Sequence, residues 1–332
     1  MTSSDELQPN RRRRLWWLVA FIVVLFGIYS AGWFYLSDKV RSEADRAVET
    51  LKGQGIVAGC SNLAVSGYPF SFVISCDTLG YQDDARNIAA SAGNFSAVAQ
   101  ITQPLTPFAD LRGPLRTSIP GMLPLWIDWE TLQAKAKLSW PLPRHITLEA
   151  TGLSGQTDPI DDTDPVELFY ARTATGQLRP NGTDVNYAGS FTDLEIDADA
   201  IGGRVLPALD GSGDVTLKNG LTLLETQAKS LRGQSIYIAK LDLSSGTARI
   251  TVAGPMSVDA DGLIDADLTI WLKDPKAVAA ILGTAIPEQK SQIEQGFAGL
   301  AMLGNEPSLP LKIVKSRASI GFIPLGKIKP VR

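Results

Sequence analysis

The stretch Ile236-Tyr237-Ile238-Ala239-Lys240-Leu241-Asp242-Leu243, followed by Ser244-Ser245-Gly246-Thr247 and then Ala248-Arg249-Ile250-Thr251-Val252, decides the fold. Apolar and polar residues alternate on both sides of Ser245-Gly246, and a period of two sends the two sets to opposite faces of a strand. Each arm reads as a half-buried antiparallel strand, and Ser245-Gly246 is good chemistry for a tight connection. The same signature recurs at Ile146–Ala150, Val185–Phe191 and Val215–Leu217, with Asn219-Gly220 and Asp261-Gly262 as further hairpin connectors. Together these runs predict roughly 14–18 strands of ordinary length. The fold class is mainly β (α+β), a large curved antiparallel sheet over residues 55–332 with a few covering helices.

Helical spacing interrupts this pattern in two places. Leu125–Leu138 carries Trp126, Trp129 and Leu132 on one side and is predicted as a helix. Asp274–Leu303 is predicted as two helices divided near Ala285–Pro287, because proline disfavours helix at the residue before it. A closing strand pair is expected at Leu311–Ala318 and Ile320–Lys327, ahead of a tail with Lys327, Lys329 and Arg332.

Upstream of the β region, Leu15–Leu36 has no charged side chain and directly follows Arg11, Arg12, Arg13 and Arg14. At about 1.5 Å per residue such a helix crosses a hydrocarbon core of roughly 30 Å. The arginines predict a cytoplasmic tail over 1–14, a transmembrane anchor over 15–36, and a periplasmic remainder. Trp16 and Trp17 at one end, with Trp33 and Tyr35 at the other, match the two aromatic belts. A cleaved secretory signal is the rival reading, although its apolar core is usually shorter, about 7–15 residues. Ser37–Gly53 is predicted as a separate short juxtamembrane helix capped by Ser37 or Asp38, docking on the domain or on a partner helix.

The net charge is −4 over the whole chain. Four arginines against Asp5 and Glu6 in the first 36 residues leave the remainder at −6. That balance argues against a nucleic-acid partner. The chain has two cysteines, Cys60 and Cys76, and in an oxidising compartment the pair reads as a disulfide. Between them the sequence runs strand, Gly-Pro turn, strand, with Tyr68 at the midpoint. A simple hairpin sets the two sulfurs opposite one another and Ser66, Ala64 and Asn62 opposite the second arm, or shifts by one through a bulge. On that second arm Phe70, Phe72, Ile74 and Cys76 share a face, predicted to be buried.

At the turn motif Gly67-Tyr68-Pro69-Phe70 and its flanking cysteines, the chain resembles an uncharacterised alphaproteobacterial family, domain of unknown function 2125. That resemblance implies an N-terminal membrane segment and a β-rich exported region. Gly254–Leu268 and Ile320–Ile328 also look like the hairpin and closing strand of AsmA-like envelope proteins, which implies a part in moving or organising envelope lipid.

Catalytic chemistry finds no footing in the sequence. His145 is the single histidine, with no Ser-His-Asp spacing around it. Asp158, Asp161, Asp162 and Asp164 match no calcium loop and read as a solvated turn, while Asp259, Asp261, Asp265 and Asp267 read as the wet face of a hairpin. No phosphate loop, zinc motif or nucleophile elbow occurs. The expectation is a non-enzymatic envelope protein without cofactor or metal, in contact with inner-membrane lipid. It either holds envelope lipid in a β-groove or serves as a scaffold for an envelope protein.

Overall fold

The computed structural model describes residues 10–53, 55–139, 143–159, 163–226, 231–302, 304–321 and 323–331. Helix α1 (Asn10–Gly53) is one unbroken helix, long and apolar enough to cross a membrane. No separate juxtamembrane helix begins at Ser37. Neither glycine nor proline interrupts the join, and Glu43 bridges Lys39 and Arg46 on the following turns, so helical geometry carries through.

Among the described residues twenty strands follow, above the predicted range. The first ten are short: β1 (Ile56–Cys60), β2 (Ala64–Ser66), β3 (Ser71–Cys76), β4 (Leu79–Asp83), β5 (Ile88–Ala92), β6 (Phe95–Gln100), β7 (Gln103–Leu111), β8 (Leu115–Ser118), β9 (Leu125–Asp128) and β10 (Thr131–Lys137). The next seven are long: β11 (His145–Thr157), β12 (Glu167–Asn181), β13 (Asp184–Ile196), β14 (Leu209–Leu217), β15 (Ser235–Ser245), β16 (Ala248–Val258) and β17 (Ile264–Lys273). The chain closes with β18 (Ser308–Val314), β19 (Arg317–Ile320) and β20 (Ile323–Lys327). Helix α2 (Gly220–Thr226) lies between β14 and β15, and helices α3 (Pro275–Ala285) and α4 (Lys290–Ala301) lie between β17 and β18, divided at Ile286-Pro287 as predicted.

From β11 to β20 every strand pairs antiparallel with the next, a ten-strand meander. Bulges recur at Gly155/Gln156, Asp214/Val215 and Ile238/Leu241, and each adds local twist that curls the sheet. At β11 the sheet forks. Residues His145–Thr151 pair with β10 and lead on through β7, β6 and β3 to β2. Residues Ser154–Thr157 pair with β9 and lead through β8, β5 and β4 to β1. Gly152 stands at the fork at φ 59°, and a Cβ there would meet the Glu130 side chain at 2.6 Å. The Cys60–Cys76 disulfide joins β1, the last strand of one branch, to β3, the last but one of the other.

Several local predictions are corrected. Leu125–Leu138 forms β9 and β10 instead of a helix. Leu132, Ala134 and Ala136 alternate with Gln133, Lys135 and Lys137, and neighbouring strands take up the backbone hydrogen bonds. Asn219-Gly220 makes no hairpin. Asn219 sits at φ 53° and opens α2, with its N–H donated to Asp184 Oδ1. The closing strand pair is three strands, because Lys315 and Ser316 both take positive φ and turn the chain. The cysteines do not face one another across a hairpin either. Asn62 at φ 52° bends the chain after β1, and β2 then pairs with β3 as Ser66↔Val73 and Ala64↔Ser75. That register leaves Phe70 beyond the ladder, 82% exposed, whereas Cys76 is buried.

Candidate functional site

Reading across the strands instead of along them, one row runs Val65, Ile74, Ala97, Ala109, Ala134, Leu148, Gly176, Gly189, Gly213, Leu241, Val252, Ile270 and Leu309. Paired residues share a face, so thirteen strands contribute no polar side chain to this line. A parallel row, Leu132, Ala150, Ala174, Phe191, Gly211, Leu243, Ile250 and Leu272, widens it. One residue along, the character inverts on β7 and β10 to β16: Asp110, Gln133, Glu149, Thr175, Ser190, Ser212, Asp242 and Thr251 form the matching row of the opposite face, which ends at Trp271 on β17. Hydroxyl ladders knit that face, with Thr131 to Thr151 at 2.7 Å, Thr173 to Thr192 at 2.7 Å and Thr175 to Ser190 at 2.8 Å.

The apolar face is covered at two places and open between them. At one end Trp33 of α1 lies stacked on Phe72, which shares the face of Ile74. At the other, Val278, Ile281 and Leu282 of α3 stand over Leu243 and Ile250 around a small apolar pocket of about 140 Å³. Between the two helices lies a groove of about 560 Å³ lined by Tyr187, Gly189, Phe191, Gly213, Leu241 and Val252 among others. Leu148, Tyr187, Leu241 and Leu243 keep 39–51% of their surface exposed. Large apolar side chains in a contiguous exposed strip mark a binding surface more often than a structural one.

Glycine shapes the floor. A Cβ at Gly211 would meet the Phe191 ring at 2.2 Å, and one at Gly189 would meet Tyr187 Oη at 2.7 Å. The aromatic rings therefore fold down onto the glycines and leave depth above them. The seven strands β10 to β16 span about 29 Å at 4.8 Å per strand, roughly twice the hydrocarbon depth of one leaflet, about 15 Å. The alternation of the strands was legible in sequence, yet the row was missed. Its one local sign is the glycine at apolar-parity positions of β12, β13 and β14, since a glycine inside a strand marks close approach.

The residues singled out from the sequence fall in different places. Cys60 and Cys76 are bonded. The Gly67-Tyr68-Pro69-Phe70 turn meets α1: Tyr68 lies against Phe26, Tyr29, Trp33 and Phe34, its hydroxyl 2.6 Å from Ser30 Oγ. Tyr29 Oη donates to Pro69 O, and Trp33 Nε1 donates to Ser71 O at 3.2 Å. Trp33, read from sequence as an aromatic belt residue, is 6% exposed and serves as the dock for this turn. His145 opens β11 with its Nε2 buried and unbonded among the described residues. Asp158 pairs with Arg116 at 3.8 Å, while Asp161 and Asp162 lie outside the described residues. Asp259 and Asp265 accept turn N–H groups, from Asp261 and Leu263 and from Lys315, and so tie hairpin ends.

The fold and face define a class: a β-sheet protein with, among the described residues, one helix of membrane-spanning length and an apolar trough that opens to the surroundings. The family model described as an uncharacterized protein conserved in bacteria, domain of unknown function 2125, matches residues 33–329, and the chain belongs to that family. The match begins at Trp33, the helix residue that receives the turn. No curated protein matches the chain.

Proposed function

We propose that this protein is a single-pass inner-membrane protein with a cytoplasmic N-terminus and a periplasmic sheet whose apolar trough holds acyl chains of envelope lipid. The observation that carries the reading is the uninterrupted apolar row, half-open between α1 and α3, on a sheet whose other face is mainly polar from β10 to β16. Apolar lining with few polar groups is how concave sites hold ligands whose bulk is hydrocarbon. The four arginines before Leu15 support the orientation, and a disulfide fits an oxidising compartment. The side chains that line the trough are mainly apolar, so a bound lipid is held by its chains and leaves its headgroup in water. No reacting group enters this account, and the reading is non-enzymatic.

Site-specific photocrosslinking in intact cells tests it. A benzophenone amino acid at Leu148 or Leu241 should give lipid adducts several-fold above the same probe at Glu149 or Lys240 on the polar face. Equal lipid labelling on both faces, or protein adducts alone from the trough, would replace lipid handling with a scaffold role.

A further inference from the structure

We propose that the Gly67–Phe70 turn is a second membrane contact, a foot of the sheet sunk into the acyl region of the leaflet on the domain's side. The inference rests on α1 spanning the bilayer. After Gly53 the chain reverses and runs back along the helix through β1 and β2, so the turn does not meet α1 near its exit from the apolar run. It meets Phe26, Tyr29, Ser30 and Trp33. Tyr29 lies seven residues before Leu36, about 10 Å along the helix. If Leu36 marks the edge of the hydrocarbon, the turn is below that edge.

Backbone in hydrocarbon survives only when its polar groups are satisfied by protein. Several of this turn's polar groups meet that condition. Gly67 O accepts from the N–H groups of Phe70 at 3.1 Å and Ser71 at 2.9 Å, and Phe70 O accepts from Ile101 N at 3.1 Å. Pro69 O and Ser71 O accept from Tyr29 and Trp33 of the helix, and the Ser30 and Tyr68 hydroxyls satisfy each other. Pro69 has no N–H to satisfy. The turn itself points an apolar ring outward, with Phe70 82% exposed, and Leu105, on the strand after the segment that bonds Phe70, is 61% exposed beside the exposed polar side chains of Gln100, Thr102 and Gln103. Water as the occupant would leave the phenyl ring hydrated for nothing; a partner protein would leave the depth on the helix unused. The lipid leaflet fits both facts. The apolar row starts at Val65, two residues from the turn, so the end of the trough that α1 covers lies beside the leaflet.

Depth-dependent quenching on the full chain in lipid nanodiscs tests the proposal. With Cys60 and Cys76 oxidised, a cysteine introduced as Phe70→Cys is the free thiol and takes a nitrobenzoxadiazole label. Val23→Cys, within the apolar run, and Glu288→Cys, between α3 and α4, are labelled in parallel. Lipids carrying a nitroxide on the acyl chain should quench positions 23 and 70 several-fold more than position 288. Quenching at 23 with position 70 matching 288 overturns the foot and leaves the anchor standing. Failure at 23 removes the anchor, and the foot with it. Phe70 contributes nothing to the buried core, so its replacement leaves the fold intact, and retention of the disulfide verifies this.

Discussion

Gly254 sits at φ 139° in β16, and a Cβ there would lie 2.2 Å from Asp267 O and 3.0 Å from Leu268 Cα. Both obstacles are backbone of the neighbouring strand, which cannot rotate away as a side chain can. Gly211 is the contrasting case, since its obstacle is the tip of the Phe191 ring. We therefore expect Gly254→Ala to cost at least about 2 kcal/mol, as strained φ and overpacking do. Gly211→Ala should cost less and push the ring up into the trough, lowering photocrosslinking to lipid. Urea unfolding of the two variants gives the comparison; equal losses would mean that Gly254 is not confined by β17.

At the element scale α3 is the piece that closes one end of the trough, and its start depends on Asp274. The residue holds φ 53° and its carboxylate accepts from Ala277 N at 3.2 Å and from Thr247 Oγ1 at 2.7 Å. The Thr247 hydroxyl, then the Ala277 N–H, keep the Asp274 carboxyl below its ordinary value, against the opposing effect of burial. The folded form thus prefers the carboxylate more than the unfolded chain does. Its stabilising contribution is complete above the ordinary value of 3.8 and is lost as pH falls through the lower folded value. Asp274→Ala should lower the melting midpoint at neutral pH, with the gap from the parent closing in acid. A gap that stays constant into acid would show that the charge is not what caps α3.

For the whole molecule, the fork at β11 separates two branches that meet again through the Cys60–Cys76 bond between β1 and β3. The bond closes a loop of 16 residues in sequence, and the chain-entropy model gives about 3 kcal/mol for a loop of that size. Reduction, or the Cys60→Ser/Cys76→Ser variant, should lower stability by that amount and free the short branch that carries β1 and β4. Denaturant titration with and without reductant measures it. Hydrogen exchange should then rise in β1–β6 and leave β12–β16 protected, since the meander holds itself through its own ladder. Uniform loosening would mean that the disulfide supports the whole sheet.

The sequence by itself determined what depends on neighbours in the chain. The uncharged run of Leu15–Leu36, the alternation around Ser245-Gly246, the break at Pro287 and the pairing of two lone cysteines each follow from residues a few positions apart. Only the tertiary structure decided which strands stand side by side, and the trough exists only at that level. Gly176, Gly189 and Gly213 are ordinary strand glycines until pairing aligns them. The docking of Tyr68 on Trp33 likewise joins residues 35 positions apart, through a reversal at Gly55 and a bend at Asn62 whose depth no local pattern encodes. Period-two alternation says that one face is apolar; whether that face is filled, covered or left open is settled by where α1 and α3 come to rest.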